Sequence, residues 1–447
     1  MARTLFGTDG IRGIANREPM TPEIALQFGK AVARHFRNGR RPVVVVGKDT
    51  RLSGYIFESA LTAGLCAAGA TVFLVGPLPT PAIAHITKSF AADAGIVITA
   101  SHNPAEHNGL KLFDAEGYKL PDEQEEAIEQ LIHEGLDGAA SYDEPIGKAK
   151  RIDDARGRYI EFAKATIGSQ RLKGLRVVLD CANGAAYSVT PVILKELGAE
   201  VIVLNDKPNG TNINEGCGAT HPEVIRDAVL RHSADIGVAL DGDADRVIMV
   251  DEQGNDVNGD HILAMCALDL HQRGLLARET VVVTDYTNLG FDETLAKKGI
   301  MTIRVRNGDR YVIEAMREHG YVLGGEQSGH IIFGAHGTTG DGTIAALQVL
   351  RIMHTSEQPL SALARCFTAW PQLIRAVHVR EKRPLESLPA VQKAIKEAEQ
   401  ELSQGRVFVR YSGTESKMRI LVEGKNETIV KKHADAIEAA AKQEVGA

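Results

Sequence analysis

Apolar and polar positions alternate in blocks along this chain, and the sharpest block boundary lies in residues 95–113, GIVITASHNPAEHNGLKLF. One apolar run ends at Ser101-His102-Asn103-Pro104, and a second begins at Leu110. The β-branched residues Ile96, Val97, Ile98 and Thr99 favour extended chain, and the Ser, Asn, Pro and Gly that follow favour a loop. The pattern therefore reads strand, polar loop, strand, with the Ser101 hydroxyl exposed on the loop. It recurs in residues 236–251, IGVALDGDADRVIMVD, where the loop holds three carboxylates. It recurs again in residues 321–333, YVLGGEQSGHIIF, where the loop holds Glu326, Ser328 and His330.

The segments between these loops repeat a second pattern. Residues 21–36 place Ile24, Phe28, Val32 and Phe36 at four-residue spacing behind Thr21 and Pro22, which predicts a helix with Thr21 as its N-cap. The unbroken apolar run 43–46 predicts a strand buried on both faces. A helix over 59–68, stopped by Gly69, and a strand over 72–75 follow. The same order restarts with strand 175–179, helix 186–197 stopped by Gly198, and strand 201–204. It restarts once more with strand 280–284, helix 291–298 stopped by Gly299, and strand 301–305. Three related α/β units with mixed sheets are expected, each joined to one polar loop. After Pro371 the pattern changes to strand 374–379, helix 388–402, a strand pair around 407–422 and helix 428–441, a smaller α+β domain. The expected domains are 1–150, 151–254, 255–369 and 370–447.

A chain of 447 residues is too long for one core. Its 44% hydrophobic and 24% charged residues are those of an ordinary globular protein. A net charge of −7 and the lack of any basic block argue against a nucleic-acid binder. No run reaches the roughly 18–20 apolar residues a membrane helix needs, and the opening MARTLFGTDGIRG has no apolar leader core. The five cysteines are odd in number and show no CxxC, as expected of reduced thiols in the cytoplasm.

Chemistry concentrates in a few places. Asp241, Asp243 and Asp245 alternate, so a curved loop can converge their oxygens on one hard cation. An EF-hand is set aside, because Arg246 stands where the turn glycine belongs and the flanks read as strands. Mg²⁺ suits the set better, since it takes few carboxylates and completes its shell with phosphate or water. GTDGIRG, with Arg12, is either an anion contact or a surface turn. The segment Arg410-Tyr411-Ser412-Gly413-Thr414-Glu415-Ser416 is either a phosphate cradle of backbone N–H groups and a forked cation or a polar hairpin turn. GxxxxGK[ST], GxSxG and HExxH are absent.

Taken in order, GTDGIRG, TASHNP, DGDADR, GEQSGH and RYSGTES resemble the α-D-phosphohexomutase superfamily over nearly the whole chain. NINEGCGATHPE, TTGDGTIAALQVL and the Gln327 of GEQSGH are similar to its glucosamine branch. The resemblance implies four domains around a central cleft, a phosphorylated serine, one Mg²⁺ per chain, a sugar-reading loop and a phosphate-binding loop. On this chain the phosphoserine would be Ser101, and the metal ligands Asp241, Asp243 and Asp245 with the phosphate of Ser101. The sugar loop would offer Glu326 and Ser328, and the phosphate loop Arg410, Ser412, Gly413, Thr414 and Arg419. The implied reaction converts glucosamine 6-phosphate to glucosamine 1-phosphate through a sugar bisphosphate, supplying UDP-N-acetylglucosamine and cell-wall synthesis. Arg12 and Lys111 would neutralise the moving phosphoryl group, and Lys111, ten residues past Ser101, is a candidate for proton transfer or phosphate contact. The implied setting is a cytoplasmic enzyme with a small hexosamine phosphate as partner, no nucleic acid and no membrane, and a homodimer is left open. A glucose or mannose phosphate mutase and a non-catalytic sugar-phosphate binder remain as alternatives. Two departures stand out. Ser416 and Lys417 follow Glu415 where a proline is common, and no histidine occurs near Gly308-Asp309-Arg310, which leaves the general acid/base unassigned.

Overall fold

A computed structural model describes residues 5–7, 9–134, 146–412 and 416–447. The chain divides into two compact units, one of Met1–Thr284 with Ile303–Arg365, the other of Asp285–Thr302 with Cys366–Ala447. Among the described residues no helix is long and apolar enough to cross a membrane.

The three polar loops each join two antiparallel strands. The pairs are Ala94–Ile98 with His107–Asp114, Ile236–Leu240 with Val247–Asp251, and Leu323–Gly325 with Ile331–Phe333. Each hairpin is built into a sheet by the same connectivity. Across the first sheet the strands run His107–Asp114, Ala94–Ile98, Val43–Lys48, Thr71–Pro77, flanked by Ile11–Ile14 and Lys148–Arg151. The second runs Val247–Asp251, Ile236–Leu240, Arg176–Asp180, Glu200–Leu204, with Asp256–Val257 at its edge. The third runs Ile331–Phe333, Leu323–Gly325, Thr280–Thr284, Met301–Val305. In every case the first strand of the hairpin lies parallel to the strand that opens the unit. The repeated βαβ grammar of the sequence is therefore a repeated topology. In such sheets the loops at the carboxyl ends of parallel strands carry ligand sites, and the polar loops leave from those ends.

Several elements differ from expectation. Helix 186–197 is instead a 3-10 turn, Ala185–Ser188, and a helix, Thr190–Glu196. Pro191 lacks the N–H that a continuous helix would need there, so it occupies the first turn of a new one. The helix expected over 59–68 begins earlier, as Gly54–Ala67, because Phe57, Leu61 and Leu65 already bury one face at four-residue spacing. Thr21 does cap Pro22–His35, its hydroxyl accepting the Ile24 N–H at 3.3 Å.

Helix Gly342–Ser356 is buried at every position from Gly342 to Met353. Its N-cap, Asp341, accepts the Ile344 N–H at 2.9 Å and the Tyr159 hydroxyl at 2.9 Å. Burial pushes the Asp341 carboxyl up to about 6, against hydrogen bonds, Tyr159's among them, that pull it down. A carboxyl raised in this way binds its proton more tightly folded than unfolded, so its contribution to stability falls as pH rises through about 4 to 6. Tyr159→Phe removes a hydrogen bond to the charged form. It is expected to lower stability by about 1–3 kcal/mol at pH 8 and by less at pH 5. Thermal unfolding midpoints at the two pH values check this; equal shifts would contradict it.

The second unit contains a three-stranded antiparallel sheet, Gln372–His378, Lys417–Glu423, Arg406–Tyr411, in that order. Helices Pro389–Leu402 and Glu427–Val445 bury Val391, Ala398, Val430, Ala434 and Ile437 in its core with Met418, Ile420 and Val422. Glu423, buried in this unit, is neutralised by Arg406 at 2.7 Å and accepts the Leu289 N–H at 2.7 Å.

Candidate active site

The loop that carries Ser101 is held from below by a buried arginine. Arg51 bonds Asp49 through Nε at 2.8 Å. Its remaining nitrogens donate to the carbonyls of Ser101 at 2.9 Å, Asn103 at 2.8 Å and Pro104. Asn214 donates to the same Ser101 carbonyl at 2.9 Å. Thr99 bridges Asp49 and the Ser101 N–H at 2.7 and 2.9 Å. This grip holds Ser101 at φ 52°, a left-handed conformation that is rare for a non-glycine residue. Such strain costs on the order of 1–3 kcal/mol and tends to mark functional residues. Contrary to the sequence expectation, Ser101 is not exposed. It is 2% accessible, because the loop folds against the acidic hairpin and its hydroxyl donates to Asp241 Oδ2 at 2.7 Å.

The acidic loop is clamped with comparable precision. Its carbonyls at Gly242, Asp243 and Ala244 accept the N–H groups of Ala185, Thr80 and Gly342 at 2.8, 2.9 and 3.0 Å. These three donors are the first residues of Ala185–Ser188, Thr80–Ser89 and Gly342–Ser356. The positive ends of the two longer helices thus face a loop of three aspartates, which favours their charged forms. Gly242 has no room for a side chain: a Cβ would lie 2.6 Å from the Ser101 carbonyl oxygen. The serine and acidic loops touch because of it.

Asp241, Asp243 and Asp245 are all buried, and one oxygen from each lies within 4.8 Å of the others. Lys111 reaches into the cluster, 2.9 Å from Asp243, 3.3 Å from Asp245 and 3.2 Å from Asp9. Burial would lower the Lys111 ammonium, yet these carboxylates hold it well above its ordinary value. Asp243 is likewise pushed up by burial but pulled below the usual range by Lys111 and by the Thr80 hydroxyl at 2.7 Å. Asp241 goes the other way, raised well above the usual range by burial and by repulsion from Asp245 and Asp243. Asp243 Oδ1 and Asp245 Oδ1 are buried without a hydrogen-bond partner. Unused hard oxygens beside a carboxylate that resists ionising fit a divalent cation such as Mg²⁺.

Unused donors lie beside them. Arg12 Nε and Arg246 Nε are also buried without hydrogen-bond partners; the nearby Asp245 Oδ1 is 3.9 Å from Arg246 Nε, beyond bonding reach. Arg12 lies opposite Gly109 in the pairing of Ile11–Ile14 with the Lys111 strand, and its guanidinium also bonds Asp9. His102 Nδ1 is 3.3 Å from both Ser101 Oγ and Arg246 Nη1. Burial, then Arg246 and Arg12, lower this imidazole to about 4, so it is neutral at pH 7.

In the third loop Glu326 is buried. Its carboxylate accepts the Gly308 N–H at 3.0 Å and the hydroxyl of exposed Ser328 at 3.3 Å. The loop packs on the acidic hairpin through the Val247 N–H, which donates to the Gly329 carbonyl at 3.1 Å. His330 Nε2 accepts the Gly340 N–H at 3.2 Å and lies 3.3 Å from Asp309 Oδ2. Lys119 bonds Asp309 and is 2.5 Å from Asp9, and burial notwithstanding, Asp309 is held low, mainly by Lys119.

Within the second unit, Arg410 and Arg419 stand directly opposite each other in the pairing of Arg406–Tyr411 with Lys417–Glu423. Like charges placed opposite across strands are unfavourable unless an anion joins them. Arg410 bonds the Tyr286 hydroxyl at 3.2 Å, and the Ser412 carbonyl accepts Lys382 at 2.7 Å. Gly413 and Thr414 lie outside the described residues.

Ser101, Lys111, Arg12, the three aspartates, Glu326 and Ser328 all belong to the first unit, and Arg410, Ser412 and Arg419 to the second. Sequence reasoning missed Asp9, Asp49, Arg51, Thr80, Lys119, Asn214 and Arg246. One signal was present for Asp49 and Arg51: KDTR closes a buried parallel strand at its carboxyl end.

Four segments match domains described as phosphoglucomutase/phosphomannomutase: alpha/beta/alpha domain I over residues 3–138, domain II over 157–254, domain III over 258–369 and the C-terminal domain over 374–440. This chain belongs to the phosphoglucomutase/phosphomannomutase family. A phosphoglucosamine mutase of Anaeromyxobacter dehalogenans is 54% identical over the full length of both chains. That of Geotalea daltonii is 54% identical over 95% of this chain and 94% of its own. Among solved structures, a family protein of Burkholderia thailandensis superposes with a TM-score of 0.80 at 25% identity, covering 98% of this chain and 97% of the other. A phosphomannomutase-like protein of Thermus thermophilus gives 0.77 at 24% identity, covering 98% of both, and shares the fold.

Proposed function

We propose that this family member interconverts glucosamine 6-phosphate and glucosamine 1-phosphate, with Ser101 Oγ carrying the phosphoryl group between turnovers. The observation that carries the reading is one juxtaposition. A strained, buried serine hydroxyl bonds one of three clustered aspartates, beside unused carboxylate oxygens suited to a cation and unused guanidinium N–H groups suited to an anion. The near-identical length and 54% identity of the phosphoglucosamine mutases supply the substrate class.

In the first half-reaction a sugar hydroxyl oxygen bonds phosphorus as the bond to Ser101 Oγ breaks, leaving free serine and a sugar bisphosphate. The bisphosphate then turns over and returns its other phosphate to the serine. Asp241, Asp243 and Asp245 would hold Mg²⁺ together with an oxygen of the seryl phosphate. When bound, the cation offsets the negative charge of the phosphoryl oxygens. Lys111, kept protonated by its carboxylates, acts as a fixed positive charge rather than a base. Arg12 and Arg246, each with a buried Nε–H that has no hydrogen-bond partner, would donate to phosphate oxygens. Glu326 and Ser328 bind sugar hydroxyls, and Arg410, Ser412 and Arg419, with Gly413 and Thr414, hold the phosphate that is not being transferred.

The reading assigns residues 1–150 to the phosphoserine domain, 151–254 to the metal domain, 255–369 to the sugar domain and 370–447 to the distal-phosphate domain. It places the enzyme in the cytoplasm, where sugar phosphates and reduced thiols are found. A second copy of the chain is not required, because every assigned residue comes from one. The test compares kcat/KM for the phosphates of glucosamine, glucose and mannose. The amino sugar is expected to lead, with some turnover of glucose phosphate because a single substituent differs. Faster turnover of glucose or mannose phosphate would move the chain to the other branch, and no phosphate on Ser101 of the native protein by mass spectrometry would favour a binding protein.

A further inference from the structure

Of the three consecutive polar residues Glu326, Gln327 and Ser328, only two face one another. The turn is closed by the Gly329 N–H donating to the Glu326 carbonyl at 3.0 Å, and by the Glu326 N–H donating to the His330 carbonyl at 2.9 Å. Glu326 and Ser328 lie on one side, hydroxyl to carboxylate. Gln327, at the next position of the turn, bonds away from them. Its amide Nε2 donates to Asp260 Oδ2 at 3.0 Å.

Asp260 is a buried carboxylate, 1% accessible, in the first turn of helix Gly259–Gln272. That place is favourable for a negative charge, since the helix presents its positive end there. Asn258 caps the helix, accepting the N–H groups of Asp260 and His261 at 3.1 and 3.3 Å. The remaining first-turn donor, the Gly259 N–H, is given to the Gln327 carbonyl at 3.0 Å. Contact at this point is so close that a Cβ on Gly259 would lie 2.1 Å from the Glu326 carbonyl oxygen. Gln327 is therefore fixed to one helix terminus through both its backbone and its side chain.

We propose that Gln327 does not read the sugar but is a positioning residue: with Asp260 it anchors the turn so that Glu326 and Ser328 meet the hexose hydroxyls at a fixed distance, and so sets the affinity for hexose phosphates as a class. The proposal rests on the functional reading above. A glutamine that touched the sugar would lose its effect only for substrates it bonds. An anchoring glutamine acts on every substrate through Glu326, and depends on Asp260.

The test uses the full-length enzyme with Mg²⁺ and three variants. Gln327→Met keeps the volume and removes the donor. Asp260→Ala removes the acceptor, and Asp260→Asn keeps an oxygen acceptor. Gln327→Met is expected to raise KM about 10-fold for glucosamine phosphate and glucose phosphate alike, with kcat changed less. Asp260→Asn should recover most of the KM that Asp260→Ala loses. Combining Gln327→Met with Asp260→Ala should add little to the worse single change, as for residues acting through one contact. A wild-type KM in Gln327→Met overturns the anchor, as does a rise confined to glucosamine phosphate, and so do fully additive effects. Asp260→Ala is the variant at risk of misfolding, and Gln327→Met, at a half-buried turn position, carries the test without it. If the wild-type enzyme turns over no hexosamine phosphate, the functional reading fails instead. The anchor is then judged by amide hydrogen exchange of residues 326–330: faster exchange in Gln327→Met supports it, and unchanged exchange overturns it.

Discussion

Ser101→Ala is expected to lower kcat by ~10⁴-fold or more, because the variant has no oxygen on which to carry the phosphoryl group. The protein should still fold. The change removes a hydroxyl that donates to Asp241 Oδ2 at 2.7 Å, and a lost buried hydrogen bond costs about 1–3 kcal/mol. That sum is small for a unit of this size and is not increased by the backbone: φ 52° is as strained for serine as for alanine, and Arg51, Asn214 and Thr99 hold the loop through atoms that the substitution leaves in place. Two measurements decide the matter. Turnover of glucosamine phosphate should vanish, and incubation with labelled sugar bisphosphate should leave no label on the protein. Retention of either, in a variant whose circular dichroism matches wild type, ends the case for Ser101.

What the sequence made legible was whatever is local in the chain. The three strand-loop-strand segments could be read because β-branched runs, polar loops and returning apolar runs follow one another without interruption, and their antiparallel pairings need only neighbouring residues. The three aspartates were legible for the same reason, since their alternation alone brings their oxygens together. The environment of Ser101 was not. Arg51 grips the loop from 50 positions away, and Asp241, which fixes the hydroxyl, lies 140 positions away. No pattern within the loop reports either partner, so the loop's own sequence predicts an exposed serine where the fold buries it. The helix starts that face the acidic loop were hidden likewise, because Thr80, Ala185 and Gly342 converge only once the sheets have formed. Helix 186–197 was misread for a local reason that could have been seen: Pro191 cannot stand in a helix interior.

Asp243→Asn should raise the Mg²⁺ concentration needed for half-maximal activity by ~100-fold or more, a larger loss than the 10–100-fold typical of residues that only support a ligand. The two oxygens of Asp243 differ. Oδ2 is committed to donors, the Thr80 hydroxyl at 2.7 Å and Lys111 at 2.9 Å, while Oδ1 is buried without a partner. An asparagine must keep its one oxygen toward Thr80 and Lys111, since an amide N–H₂ turned to them would meet two donors. Its nitrogen then replaces Oδ1 and presents hydrogens where a cation needs an acceptor. The charge balance changes as well, because Lys111 loses one of the three carboxylates that hold it protonated. Magnesium alone, without substrate, gives a second readout. A ligand that binds only the folded state raises the unfolding midpoint with its concentration, so wild type should gain stability across a Mg²⁺ titration and Asp243→Asn should stay flat. An unchanged Mg²⁺ requirement together with an unchanged thermal response would show that the cation is held elsewhere and that Asp243 serves only to balance Lys111.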